Sequence, residues 1–203
     1  MRIRHASLFA IPLLAIAMAA PAQAQNRLSV TPLIGGYIPG NDIHDLRDGA
    51  EEVTVDKEAA LGLGLNVEFG WLRGSLAYAS GATVNVANVT DPTLEGEIGE
   101  GNVLAVAADV VFRPLPRLIV VQPYLLAGAG LKRTDYDWET EGAADVFPKD
   151  QSDFALHIGV GADISLGSVG LVVEVTDFIS NEGNDSFGRH DAFGMLGLKI
   201  GLF

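Results

Sequence analysis

Leu61, Leu63, Leu65, Val67 and Phe69 alternate with Ala60, Gly62, Gly64, Asn66 and Glu68. A period of two puts the first set on one face of an extended strand over 60–69 and the second set on the other. The same pattern returns along the chain. Over 28–37, Val30, Pro32 and Ile34 oppose Ser29, Thr31 and Gly35; over 71–80, Leu72, Leu76 and Tyr78 oppose Arg73, Ser75, Ala77 and Ala79. Over 102–113, Leu104, Val106, Ala108, Val110 and Phe112 oppose Ala105, Ala107 and Asp109, and over 118–131, Pro123, Leu125, Ala127, Ala129 and Leu131 oppose Tyr124, Leu126, Gly128 and Gly130. Over 153–166, Phe154, Leu156, Ile158, Val160, Ala162 and Ile164 oppose His157, Gly159, Gly161, Asp163 and Ser165, and over 169–179, Leu171, Val173 and Val175 oppose Gly170, Val172, Glu174 and Thr176. The last stretch, 191–203, sets Ala192, Gly194, Leu196, Leu198, Ile200 and Leu202 against Asp191, Phe193, Met195, Gly197, Lys199, Gly201 and Phe203. Pro32 cannot donate to a ladder, so a bulge or a strand end is expected there.

These eight segments, each of about ten residues, have the length of strands that cross a bilayer at a tilt. Their connections alternate. Short ones fall at Gly70, at 113–117 and at Gly167-Ser168, and long ones at 38–58, 81–101, 132–152 and 180–190. The pattern predicts an all-β fold, an eight-stranded antiparallel up-and-down transmembrane β-barrel with short periplasmic turns and long extracellular loops. No linker or second domain interrupts it.

Alternation alone leaves open whether the apolar face meets lipid outside or a ligand inside, as in a soluble lipocalin-like barrel. The 24 glycines favour the first reading. On a water-exposed face glycine would only weaken strands, whereas inside an eight-stranded barrel, just wide enough for side chains, small residues have a steric purpose. Aromatics near predicted strand ends form two candidate girdles. Phe69, Trp71, Phe112 and Phe203 lie at the turn side; Tyr37, Tyr78, Phe154, Phe178 and Phe193 lie at the loop side. The simpler account is that aromatics favour strands.

Composition narrows the class. Apolar residues make up 48% of the 203, yet beyond the amino-terminus no run approaches the roughly eighteen needed for a spanning helix. A formal charge of −13 and a pI near 4.5 argue against nucleic acid as a partner. Without cysteine there is no disulfide framework and no thiolate metal site, and no motif calls for a cofactor. At the amino-terminus Arg2 and Arg4 precede an apolar segment over 8–20 and the small residues Ala22 and Ala24. This reads as a signal peptide, 1–24, cleaved to leave a barrel domain over 25–203.

The stretches VTPLIGGY at 30–37, QPYLLAGAGLK at 122–132, EVTDF at 174–178 and GLKIGLF at 197–203 resemble the small outer-membrane β-barrel domains of the OmpA, OmpX and OmpW types. The resemblance covers most of the chain from Leu28 to Phe203, the closing strand terminus. It implies outer-membrane localisation, contact with outer-membrane lipid and lipopolysaccharide, and handling by the barrel assembly machinery. In that family's assembly signal, alternate residues counted back from the terminal Phe are apolar. Here they are Gly201 and Lys199, so a register shift or bulge is expected in the last strand.

On the predicted inward face Glu68, Arg73, Asp109, Asp163, Glu174 and Lys199 all lie towards the periplasmic side. They are expected to meet as one interior charge cluster, either a structural plug or a gate for ions. Acids outnumber bases in this set, so one carboxylate is expected to hold a proton. The loops carry most remaining acids: Asp42, Asp45, Asp48, Glu51, Glu52, Asp56 and Glu58; then Asp91, Glu95, Glu97 and Glu100; then Asp135, Asp137, Glu139, Glu141, Asp145 and Asp150. They form a solvated rim or, without any calcium-loop spacing, a looser divalent-cation surface. Tyr136, Trp138 and Phe147 are a candidate contact patch. For catalysis, His44, Asp177, His190, Asp191 and Ser80 fall near the rim and His157 with Asp163 inside, but no Ser-His-acid set carries an identifying motif. The expected role is envelope-structural or surface-interacting and not catalytic. The alternatives are OmpW-like passage of small molecules and a soluble lipocalin-like binder.

Overall fold

A computed structural model describes residues 28–39, 44–48, 51–57, 59–87, 96–115, 120–138, 150–166, 169–181 and 187–202. Among them are ten strands and no helix: β1 (Leu28–Pro39), β2 (His44–Asp48), β3 (Glu51–Lys57), β4 (Ala60–Phe69), β5 (Leu72–Ala87), β6 (Gly96–Phe112), β7 (Val121–Trp138), β8 (Asp150–Leu166), β9 (Val169–Asn181) and β10 (Phe187–Gly201). Antiparallel pairing runs in the order β1, β4, β5, β6, β7, β8, β9 and β10, and returns from β10 to β1. Eight staves therefore close into an up-and-down barrel. At the seam the N–H of Leu202 donates to the carbonyl of Leu28 at 2.8 Å.

The two further strands are continuations. Lys57 faces Val84 and Leu61 faces Ser80, so β3 and β4 run along β5 in one unbroken register. β2 pairs with β3 and continues the hairpin beyond β1. The expected long loop at 38–58 is thus in large part a hairpin. Its acids suggested a solvated loop, but Glu51–Lys57 also alternates Val53 and Val55 with Glu52 and Thr54, and β-branched residues suit a strand that β5 can extend. The other loop-side strands also overrun their predicted ends: β5 reaches Ala87, β6 begins at Gly96 and β7 reaches Trp138. Gly81, at φ 70°, marks a shift in the β5–β6 register between Ala79 and Ala82, and its N–H donates to Asn102 Oδ1 at 3.3 Å. Gly70, at φ 65°, turns β4 into β5.

The period-two faces point as the pattern requires. Ile34, Leu61, Leu63, Leu65, Leu76, Leu104, Val106, Leu125, Leu131, Leu156, Val160, Val175, Leu196 and Leu198 lie exposed on the outside, whereas Ser29, Thr31, Asn66, Glu68, Arg73, Asp109, His157 and Glu174 are buried within. This is the inverse of a water-soluble domain and the surface expected of a membrane barrel. On β7 the exposed apolar positions run from Val121 to Leu131. Ten residues at about 3.3 Å each, tilted by about 45°, give roughly 23 Å of height, close to the apolar band of such barrels.

Four expectations are corrected. Pro32 is neither at a bulge nor at a strand end: it pairs with Leu65 in mid-strand, while β1–β10 pairing lapses over Thr31 and Pro32 and resumes in the same register at Leu33. β10 carries its one shift at its start, between Phe187 and Arg189, and none near its end. The outward residues of its last turn-side stretch are Leu198, Ile200 and Leu202. Of the loop-side girdle, Tyr78 and Phe154 face outward, but Tyr37, Phe178 and Phe193 are fully buried in the lumen, because each shares the parity of its strand's inward set. Tyr136, read as a loop aromatic, is likewise buried inside β7. The signal segment 1–24, the turn Gly167-Ser168, Phe147, Phe203 and the acids Asp42, Glu58, Asp91, Glu95, Glu139, Glu141 and Asp145 lie outside the described residues.

Candidate functional site

Towards the turn end, the lumen is crossed by a network of charged side chains. Arg73 on β5 donates from Nη1 to Glu174 Oε2 at 2.9 Å and from Nη2 to Glu68 Oε2 at 3.0 Å. β5 and β9 stand diametrically opposite in the ring of eight, so the first of these bonds spans the barrel. Glu174 also accepts from Asn66 Nδ2 at 3.0 Å and from the Tyr124 hydroxyl at 2.7 Å. Arg113 donates to Glu68 at 2.6 Å and to Asp163 at 3.3 Å, and Lys199 donates to the same two carboxylates at 3.0 Å each. The Tyr124 ring lies beneath the Arg73 guanidinium, 4.7 Å from centroid to Cζ.

Five of the six expected cluster residues, Glu68, Arg73, Asp163, Glu174 and Lys199, therefore come together. Asp109 does not join them. It accepts from Ser75 Oγ at 2.5 Å and meets His157 Nδ1 at 2.8 Å. Arg113 takes the place that Asp109 was expected to fill, and the expected excess of acid disappears: Glu68, Asp163 and Glu174 face Arg73, Arg113 and Lys199. Arg113 was read as part of a turn. It follows the outward Phe112, and by parity alone it extends the inward face of β6.

Glycine makes room for this interior. A Cβ at Gly161 would lie 2.4 Å from the Tyr124 ring, so the ring rests against bare backbone of β8. Asp109, Gly128 and His157 are successive ladder partners on β6, β7 and β8, and a Cβ at Gly128 would lie 2.2 Å from Asp109 Oδ1. His157 reaches Asp109 over that gap.

Two more layers follow towards the loop end. His157 stacks on Phe178 at 4.1 Å, Phe178 meets Phe193 edge-on at 6.0 Å, and Phe193 tilts against Tyr37 at 5.0 Å. Above them Asp191 accepts from both the Tyr37 hydroxyl and Lys132 Nζ, and Arg189 lies 3.7 Å from Asp191 and donates to the Tyr136 hydroxyl at 3.2 Å. This upper group escaped the sequence reading because Lys132, Tyr136 and Arg189 were assigned to loops. All three keep the inward parity of the strands they extend, a signal that counts only once β7 and β10 are known to reach that far.

The remaining catalytic candidates scatter. His157 pairs with Asp109 and not with Asp163. Asp191 is buried inside, Ser80 is exposed outside opposite Leu61, and His44 opens β2. Asp177 and His190 do meet, on the outer face: His190 Nδ1 lies 2.6 Å from Asp177 Oδ2, with 46% and 24% of the two side chains exposed. No group of three or more potential ligands gathers for a metal among the described residues.

No protein-family model and no curated protein matches the chain. Among solved structures, it is similar to the outer membrane protein OprG from Pseudomonas aeruginosa, at 15% identity and a TM-score of 0.59, over 87% of this chain and 96% of that one. It is also similar to Neisserial surface protein A (NspA), at 13% identity and a TM-score of 0.53, over 86% of this chain and 97% of that one. At such identities the likeness is one of fold.

Proposed function

We propose that the chain is an outer-membrane barrel whose lumen is closed, serving an envelope-structural or surface-interaction role and not a catalytic one. The observation that carries this reading is the turn-end network, which joins β4, β5, β7, β8, β9, β10 and the end of β6 across the lumen. A chain built to pass solutes would be expected to keep its polar interior open, as channels do. The apolar belt supports a lipid environment, and the overrunning strands with Glu100, Asp135, Asp137 and Asp150 support an acidic rim above it. On this reading lipid and lipopolysaccharide surround the belt, and the barrel assembly machinery inserts it.

Conductance of the purified, refolded protein in a planar bilayer tests the closed lumen. The expected record shows no steady unitary steps across ±100 mV, a range chosen as roughly that of biological membrane potentials. A stable, persistently open channel would favour passage of small molecules instead.

A further inference from the structure

Among the described residues, and apart from Arg133 with Asp135 and Asp150 at the rim, the outer face carries a polar pair that the closed-lumen account does not use. Asp177 lies within the apolar belt of β9, between exposed Val175 and half-buried Ile179, with Ala192 of β10 and Ile158 of β8 as its ladder partners. A carboxylate on the lipid side is costly unless its acceptor positions are filled. Here one oxygen accepts from the Asp191 backbone N–H at 3.1 Å and the other meets His190 Nδ1 at 2.6 Å. A carboxylate can only accept, so Nδ1 carries the proton, and in the neutral ring the second nitrogen, Nε2, presents a lone pair from the opposite edge of a half-exposed ring. Among the described residues only Asp177 bonds this ring.

Below His190 on the same strand come Ala192 and Gly194, and Gly194 pairs with Gly36 of β1. A Cβ at either glycine would meet nothing within 4 Å, while Val175, Leu61, Leu196 and Ile34 stand exposed around them. From His190 to Gly194 the wall is therefore low over about 13 Å, the rise of four strand residues. A polar acceptor at the belt edge, with a shallow apolar track leading into the belt, matches the two halves of an amphiphile.

We propose that Asp177 and His190 form a lipid headgroup site that takes a hydrogen-bond donor, a hydroxyl or an ammonium group, at His190 Nε2, with one acyl chain lying over Ala192 and Gly194. The inference rests on the membrane reading above. Asp177 orients the ring and sets the site's negative character, which disfavours a headgroup offering only phosphate.

The test uses the full mature chain with ¹⁵N-labelled histidine in nanodiscs of three lipids: monogalactosyl diacylglycerol, with hydroxyls; phosphatidylethanolamine, with an ammonium; and phosphatidylcholine, with neither donor. The His190 Nε2 resonance is expected to shift in one or both donor lipids relative to phosphatidylcholine, and the responding lipid identifies the source. That shift is expected to vanish in Asp177→Asn. Retention of the responding lipid through detergent washing, read by mass spectrometry, is expected to fall about fivefold in His190→Gln and in Gly194→Ile, the range of one lost hydrogen bond or a blocked contact. A pair that only locks β9 to β10 would give the same Nε2 resonance in all three discs, with unchanged retention, and would overturn the site while leaving the heat-modifiable barrel intact. A chain that enters none of the discs and remains soluble without detergent would overturn the barrel reading and the site together.

Discussion

Arg73 is the residue on which the lumen network turns, because it bonds one carboxylate on the neighbouring strand and one on the opposite wall, both deeply buried. Removing it leaves Glu68 with Arg113 and Lys199 but Glu174 buried with only the neutral donors Asn66 and Tyr124, at a cost of up to about 3–5 kcal/mol. Arg73→Met is expected to lower the urea midpoint of the refolded barrel accordingly. Lys199→Met is expected to cost less, since Lys199 is partly exposed and Arg113 still serves both of its carboxylates. Equal losses would show that burial does not set the strength of these pairs. Glycine and aromatic act as one unit in the same network. Gly161→Val must drive the Tyr124 ring off its shelf and away from Glu174, at about 1–3 kcal/mol for overpacking. Most of that loss is expected to be recovered in Gly161→Val with Tyr124→Ala, measured as a double-mutant cycle. Additive losses would mean that the glycine matters for another reason.

At the scale of the strand, a period of two was enough to place Glu68, Arg73, Asp163, Glu174 and Lys199 on the inward face, though not Arg113, which was read as turn, and to separate Leu61, Leu63 and Leu65 from Gly62, Gly64 and Asn66. Parity could not say how far a strand runs. Lys132, Tyr136 and Arg189 were legible as inward only once β7 and β10 were known to extend beyond the belt, where apolar alternation gives way to polar residues. Nor could parity give height, and so Asp109 was grouped with residues one layer below it. His157 bonds it across Gly128, a relation set by register between three strands and not by any one of them. The hairpin of β2 and β3 shows the same limit, since its β-branched residues compete with an acid content that reads as loop. It adds to the wall above the belt and contributes none of the lumen contacts described. Replacing 44–55 by a short Gly-Ser link is therefore expected to preserve folding, with the unboiled and boiled forms still separating on a detergent gel; a chain that no longer folds would show that the hairpin supports the barrel itself.

For the molecule as a whole, two surfaces are reversed relative to a soluble domain: leucine, valine and isoleucine outside, and arginine, glutamate, aspartate and lysine inside. Each half makes sense only with the other. The belt needs lipid, and the interior charges, removed from bulk water, need the mutual pairing that the lumen network supplies. Net charge fits the same division, because the turn-end cluster is balanced between three acids and three bases and leaves the acidic excess to the rest of the chain. The central claim is that the apolar face meets lipid in the outer membrane. It is tested most directly by fractionating a Gram-negative host that expresses the full chain and running the recovered protein on a detergent gel with and without boiling. The account predicts recovery in the outer-membrane fraction and a folded band that shifts on boiling. Recovery as a soluble periplasmic protein, with no need for detergent, would contradict it.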